Sequence, residues 1–543
     1  MSETCTAPVE NKMGTMPIVK LIFNMSLPIM FSMLVMALYN IVDSIFVGKI
    51  GEEALTAVSL AFPIQNLMIS FGIGTSVGVN ALLSMRLGQK NQEDVNKAAM
   101  NGLFLAFVTW AVFAVTGSAI AKAYLHSQTE NQQIIEYAQQ YLYVILILGI
   151  GSFMGCMSDR LLQSTGRTVL SMISQICGAV FNIVFDPLLI FGIGPFPEMG
   201  IKGAALATVA GQIFGIFVSI TLNIKRNHDI QFKLKNIIPC GRIIAQIYKV
   251  AVPAILMSSI MSVVTYFINL ILSSTPNGGD TAIAVYGVYF KLNSFIFMPV
   301  FGLCSGIIPI IAYNYGAQHH RRITNSIRGA LCIALMIMTF GIILFETIPG
   351  KLFDLFSASD EMRRMGIVAL RLIAPSFFGA ALAITMSSVF QAFGSAVYSM
   401  IVSFARQIVV FLPAAYFLSK TGDVDNVWWC FLIAEVMSVV MSLFFMKRIL
   451  SLGLALLVVS ASLLSLTACS SSSGDEVEVQ TTVPVEYTES AKQEAYQKAQ
   501  EILQKAKSGE QDFESLIGTY SEDENTTYSF GKGTMDAAFE EAA

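Results

Sequence analysis

Two short runs place carboxylates where they are costly to keep. Tyr39-Asn40-Ile41-Val42-Asp43 lies toward the end of one long apolar stretch, and Asn182-Ile183-Val184-Phe185-Asp186-Pro187 toward the end of another. A spacing of four puts Tyr39 and Asp43 on one face of a helix, and Asn182 and Asp186 on one face of a second. Thr208 stands near the start of a third apolar stretch. Two carboxylates, an amide and a hydroxyl are hard oxygen donors for a small cation. Two carboxyl groups close together in an apolar setting can equally share a proton. Acids inside apolar spans mark ion pathways. The competing reading is two unrelated residues near a water interface, each hydrogen-bonded locally. Weaker candidates for coupling or for lining a cleft are Lys291, Glu435 (a conceivable partner for Lys291), Gln163 and Gln391. Arg86, Arg160, Arg167 and Arg406 are read as charges at inner span ends. The eight cysteines are scattered, without a CxxC pair or a Cys/His cluster, so neither a metal cofactor nor a disulfide framework is expected.

These residues need helices to hold them at depth. The chain is 54% hydrophobic and 13% charged, with a mean hydropathy of +0.64, which excludes an ordinary soluble enzyme or a nucleic-acid binder. About 20 apolar residues cross a bilayer core. Twelve stretches qualify: 18–46, 54–84, 98–122, 133–157, 168–191, 201–223, 243–273, 281–312, 327–349, 366–391, 396–419 and 427–446. With the N-terminus in the cytoplasm, about 19 basic residues fall inside and about 8 outside. The main exception, around Lys351, Arg363, Arg364 and Arg371, reads as an interfacial amphipathic stretch. Spans one and five then run outward and span six inward, so Asp43, Asp186 and Thr208 reach similar depth.

The chain also repeats itself. Under a shift of 228, Gly74 falls on Gly302, Gly78 on Gly306, Gly88 on Gly316, Gln163 on Gln391 and Gly166 on Gly394. Two copies of a six-span unit predict an all-α integral membrane protein with two lobes around a central cleft. The expected organisation is a cytoplasmic segment 1–16, a first lobe 17–223, a basic linker loop 224–242 and a second lobe 243–447. An apolar segment 448–469 and an acidic tail 470–543 follow. The tail holds sixteen acidic residues and five lysines, against 21 acidic and 28 basic residues in the remainder. A monomer in a bacterial inner membrane, in contact with lipid, is expected.

Met446-Lys447-Arg448, the apolar run 449–464 and Leu466-Thr467-Ala468-Cys469 have the layout of an export signal. The last four resemble a lipobox, which implies lipidation at Cys469. The alternative is a thirteenth span. Either way the tail is expected outside the cytoplasm. A joined reading frame, with Met446 initiating a separate lipoprotein, would also explain the arrangement. Gly509-Glu510-Gln511-Asp512-Phe513, Tyr520-Ser521-Glu522-Asp523 and Gly531-Lys532-Gly533 resemble the front of a parvulin-type prolyl isomerase. No histidine follows His320, so the resemblance implies a non-catalytic fragment.

The membrane part resembles the bacterial multidrug and toxin extrusion (MATE) transporters. The resemblance is carried by Tyr39 to Gly48, Ala54 to Val58, Gln163-Ser164-Thr165-Gly166, Asn182 to Pro187, Gly203 to Thr208, Tyr313 to Ala317 and Arg406 to Pro413. It implies export of amphipathic, often cationic drugs or toxins in exchange for Na⁺ or H⁺, with no cofactor beyond that coupling ion. It also implies a first-lobe cation site at Asp43, Asn182, Asp186 and Thr208. A second-lobe acid site is expected to be missing, because 253–272 and 374–388 contain no acid. The rival of related architecture is a flippase for lipid-linked precursors. The rival from another class, based on the tail, is an exported folding factor.

Overall fold

A computed structural model describes residues 11–449, except 129–130, 234–235, 237, 277 and 357–358. The chain separates into two units, 1–470 and 471–543. Cys469, the apolar segment after residue 449 and the acidic tail lie outside the described residues. Among the described residues every regular element is helical.

Among the described residues ten helices are long and apolar enough to cross a membrane, and two bent pairs, each taken as one span, bring the spans to twelve. Spans one to three are Ile18–Gly48, Thr56–Gly88 and Gln92–Gln128. Span four is the pair Gln132–Ile147 and Ile150–Ser164, bent by 43°. Spans five to nine are Thr168–Phe191, Gly200–Arg226, Gly241–Ser274, Thr281–Gly316 and His320–Thr347. Span ten is the pair Asp360–Ile373 and Ser376–Ala392, bent by 53°. Ala396–Ser419 and Val424–Arg448 complete the set. The two breaks occupy matching places in the two copies. The segment read as interfacial is the first limb of span ten, where Met365, Ala369, Leu370 and Ile373 are buried and Arg363 pairs with Asp354.

The glycines of the repeat explain how the copies meet. A Cβ on Gly74 would lie 2.9 Å from the Ile255 backbone nitrogen, and one on Gly78 would meet Ile247 and Ala251, so span two presses on span seven. A Cβ on Gly302 or Gly306 would lie 2.7 Å from the Cα of Met30 or Ser26, so span eight presses on span one. At the near end of the bundle, the end where span one begins, Gly88 abuts the Tyr313 carbonyl while Gly316 abuts the Met85 carbonyl. Small residues permit such backbone approach between apolar helices, where dispersion rather than water exclusion drives packing. Gly166 and Gly394 end the fourth span of each copy at φ +87° and +71°, a conformation in which a side chain is strained.

Two hydrophobic cores result, and they do not divide where the sequence divides. Leu21, Ile22 and Met25 of span one belong to the core built mainly from spans seven to twelve. Ile243, Ile247 and Ala251 of span seven belong to the core of spans one to six. The near halves of spans one and seven are therefore exchanged between the lobes. A short helix before span one, Lys12–Thr15, lies between them as well. Asn11 donates to the Thr165 carbonyl, and Asn314 and Arg322 donate to the Met13 carbonyl.

Candidate functional site

Asp43 stands five residues before the end of span one, and Asp186 five before the end of span five. Span five turns Asn182 and Asp186 to one face, so the Asn182 amide donates to Asp186 Oδ1 at 3.1 Å. The same amide reaches Thr208 Oγ1 on span six at 3.5 Å. This reach depends on close approach of the two helices. A Cβ on Gly211 would lie 2.8 Å from the Gly178 carbonyl and 3.1 Å from Asn182 Cβ. Asp186, Asn182 and Thr208 are buried, and the Asp43 carboxyl lies beside that of Asp186.

The four residues singled out from spacing are thus in one place, and their bonds do not use all their oxygens. Asp43 Oδ1, Asn182 Oδ1 and Asp186 Oδ2 are buried without a hydrogen-bond partner. Among the described residues neither acid forms an ion pair. Unmet buried acceptors are costly, and two adjacent carboxyl groups cannot both stay charged without a cation or a shared proton. The donor set fits a small hard cation or a proton. Tyr39 lies within electrostatic reach of both acids, as the spacing predicts. Tyr141 of span four also borders them, with Gln65 of span two hydrogen-bonded to it. Neither carried a signal in the sequence, since an aromatic or an amide in an apolar span is commonplace.

Other candidates are placed elsewhere. Gln163 is buried at the near end, accepting from Arg160 at 2.9 Å and donating to Ser171 at 2.9 Å. Gln391 occupies the matching turn, where its carbonyl accepts from Gly394 just as that of Gln163 accepts from Gly166. Both shape span ends, away from Asp43 and Asp186. Lys291 is exposed, with Nζ 5.8 Å from the Phe356 ring centre. Its expected partner Glu435 is instead bound to Arg406, at 2.5 Å. Arg406 is not at a span end. It lies in a π-helical turn, Ala405–Phe411, in the middle of span eleven, and this widened turn packs on span twelve, which carries Glu435. The second lobe therefore does hold a buried acid, outside 253–272 and 374–388, and a resident guanidinium neutralises it.

The sequence reading also missed Asp159, which accepts hydrogen bonds from Ser174 and Ser219. Apolar run length ends span four at residue 157, whereas the helix runs on to Ser164. A polar cavity of about 670 Å³ lies at the far end of the second lobe, lined by residues including Thr275, Glu361, Arg364 and Asp425, and shares no residue with the first-lobe acids.

Comparison with known proteins agrees with this architecture. The MatE family model matches residues 28–188 and 253–417, more than half of the chain, and the chain belongs to that family. It is 25% identical over 429 residues to the multidrug export protein MepA of Staphylococcus haemolyticus, covering 79% of this chain and 93% of the relative. It is 26% identical over 407 residues to an FAD transporter of Shewanella oneidensis, covering 74% and 88%. A MATE structure in the straight conformation and a MOP superfamily transporter from Pyrococcus furiosus each superpose with a TM-score of 0.76 at 24% identity. Each superposition covers 82% of this chain, with 99% and 98% of the respective structures. The fold is that of a membrane transporter. A PPIC-type PPIASE domain model matches residues 479–543, in agreement with the parvulin-like tail.

Proposed function

We propose that the chain is a secondary antiporter that exports amphipathic, often cationic small molecules in exchange for Na⁺ or H⁺. The observation that carries this reading is the facing pair Asp43 and Asp186 with three unmet buried oxygens around it. A cation or proton bound there favours one arrangement of the lobes, and a drug between the lobes favours the other. Each ligand acts only through its different affinity for the two states. A flippase for anionic lipid pyrophosphates would need donors and fixed positive charge, whereas this site offers acceptors. We take the near end as cytoplasmic, in a bacterial inner membrane, on the bias of basic residues. The tail, without histidines, is assigned no isomerase activity.

The test is drug resistance in cells expressing Asp43→Asn or Asp186→Asn at wild-type levels. Each variant is expected to lose resistance nearly completely. Full resistance in either would overturn the coupling role of that carboxylate.

A further inference from the structure

Asp159 is an acid the proposed cycle does not use. It sits in the second limb of span four, in the near half of the first lobe, and keeps partial exposure while Ser174 and Ser219 are buried. Ser219 of span six donates to its Oδ1 at 2.9 Å, Ser174 of span five donates to the same oxygen, and the Gln175 side chain lies beside the carboxyl. The charged or titratable groups facing it are Arg160 and Cys156 of its own helix. Arg160 is turned to Gln163, which bonds Ser171, which accepts from Gln175 at 3.1 Å. Among the described residues no lysine or arginine lies within ion-pair distance of Asp159.

Its surroundings repeat those of Asp43 and Asp186: hydroxyls and an amide from spans five and six around a carboxylate. On span five, Ser171, Ser174, Gln175, Gly178, Asn182 and Asp186 recur at three or four residues and share one face. On span six, Thr208, Gln212, Gly215 and Ser219 do the same. Twelve residues separate Ser174 from Asp186, about 18 Å along the helix, or more than half of the roughly 30 Å hydrocarbon core. Tyr39 and Cys156 bridge the gap on the facing side. Tyr39 lies near Asp43, Asp186 and Cys156, and Cys156 near Asp159.

We propose that Asp159, Ser174, Ser219 and Gln175 form a second binding station for a small cation, Na⁺ or H⁺, toward the near end of the first lobe. An acid held in an apolar bundle, outside ion-pair distance of the Arg160 guanidinium that is turned to Gln163, needs such an ion or a proton to balance it. The inference deepens the antiport reading and rests on it for the ion's identity. The binding claim itself can be tested without transport.

The experiment counts ions on the purified full-length chain in lipid nanodiscs. Scintillation proximity with ²²Na measures bound sodium, and infrared difference spectroscopy measures protonated carboxyl groups. If sodium is the ligand, the wild type binds two ions, Asp159→Asn and Asp43→Asn bind one each, and Asp159→Glu restores two. If the proton is the ligand, Asp159→Asn removes a protonated-carboxyl component that Asp43→Asn retains. Ser219→Ala keeps the charge and serves if Asp159→Asn does not fold. It is expected to weaken the second ion about tenfold. An unchanged sodium count together with an unchanged carboxyl spectrum in Asp159→Asn overturns the proposal. So does a variant whose drug affinity shifts while both ion readouts stay constant, since Asp159 would then be a drug contact. Two bound ions without drug export would leave this station standing and overturn the transport reading instead.

Discussion

In the first lobe Asp43 and Asp186 face each other beside an amide, and Asp159 faces hydroxyls, whereas in the second lobe Glu435 meets Arg406 at 2.5 Å. The same bundle geometry thus handles a buried acid in two ways. A guanidinium built into span eleven is a permanent counter-charge and cannot leave. An acid that lacks one needs an ion from solution, and that ion can be exchanged. On the proposed antiport reading, the difference gives loading and unloading to the first lobe and a fixed framework to the second. The repeat reinforces the point, because a shift of 228 carries Gly178, in the tight contact between spans five and six, onto Arg406.

Removing one partner should break this contrast where it is strongest. Arg406→Ala leaves Glu435, 8% exposed, without its cation, and is expected to cost about 3–5 kcal/mol. Replacing both residues by leucine should recover most of that loss, because no charge is then left buried. Asp186→Asn in the first lobe should change stability by less than about 1 kcal/mol, since it relieves like charges and orphans no cation. Thermal unfolding of the three variants in one detergent checks the ordering. A larger cost for Asp186→Asn than for Arg406→Ala would show that the first-lobe acids are structural and the second-lobe pair dispensable.

Much of this is legible in the order of residues alone. The twelve spans follow from apolar run length, and the repeat from glycines whose offset stays constant because each must admit a neighbouring backbone. Asp43, Asn182 and Asp186 are legible because helical periodicity and span direction together fix both face and depth. Asp159 is not. Ser158-Asp159-Arg160 lowers the local hydropathy enough to end an apolar run, yet the helix continues because spans five and six supply Ser174, Gln175 and Ser219. The partner of Glu435 is out of reach for a different reason. Which of Lys291 and Arg406 meets it depends on how spans eight, eleven and twelve pack, and spacing within one helix carries no such information. The exchange of spans one and seven between the two cores is hidden likewise, since the linker loop suggests a clean division.

The glycine contacts give a smaller and more symmetric effect. Gly88→Ala and Gly316→Ala each drive a methyl group into a backbone carbonyl of the opposite copy, and each should cost about 1–3 kcal/mol. The two costs should agree closely, since the sites are equivalent under the repeat. Gly287→Ala, with nothing within 4 Å of the added carbon, is the control and should be neutral or stabilising by up to about 1 kcal/mol. Unequal costs for Gly88 and Gly316, measured by thermal unfolding, would mean that the near-end contact is not shared evenly by the lobes.

The smallest expected effect comes from the short helix between the lobes. Lys12 is partly buried there and donates to Asn24 Oδ1 at 2.5 Å, and burial, then the nearby Arg167 charge, pull its pKa below the ordinary 10.5. A depressed lysine binds its proton less well in the folded chain than in the unfolded one. The cost of keeping it charged is therefore fully present at neutral pH. Stability should rise with pH through the lowered folded value and level off at 10.5, where the unfolded chain also loses the proton. The thermal midpoint of the wild type should accordingly climb slightly as the pH is raised toward that value, and Lys12→Met should lack this component of the climb. The same rise in both proteins would show that Lys12 stays as solvated as a surface lysine. The short helix would then not hold its charge between the two halves of the transporter.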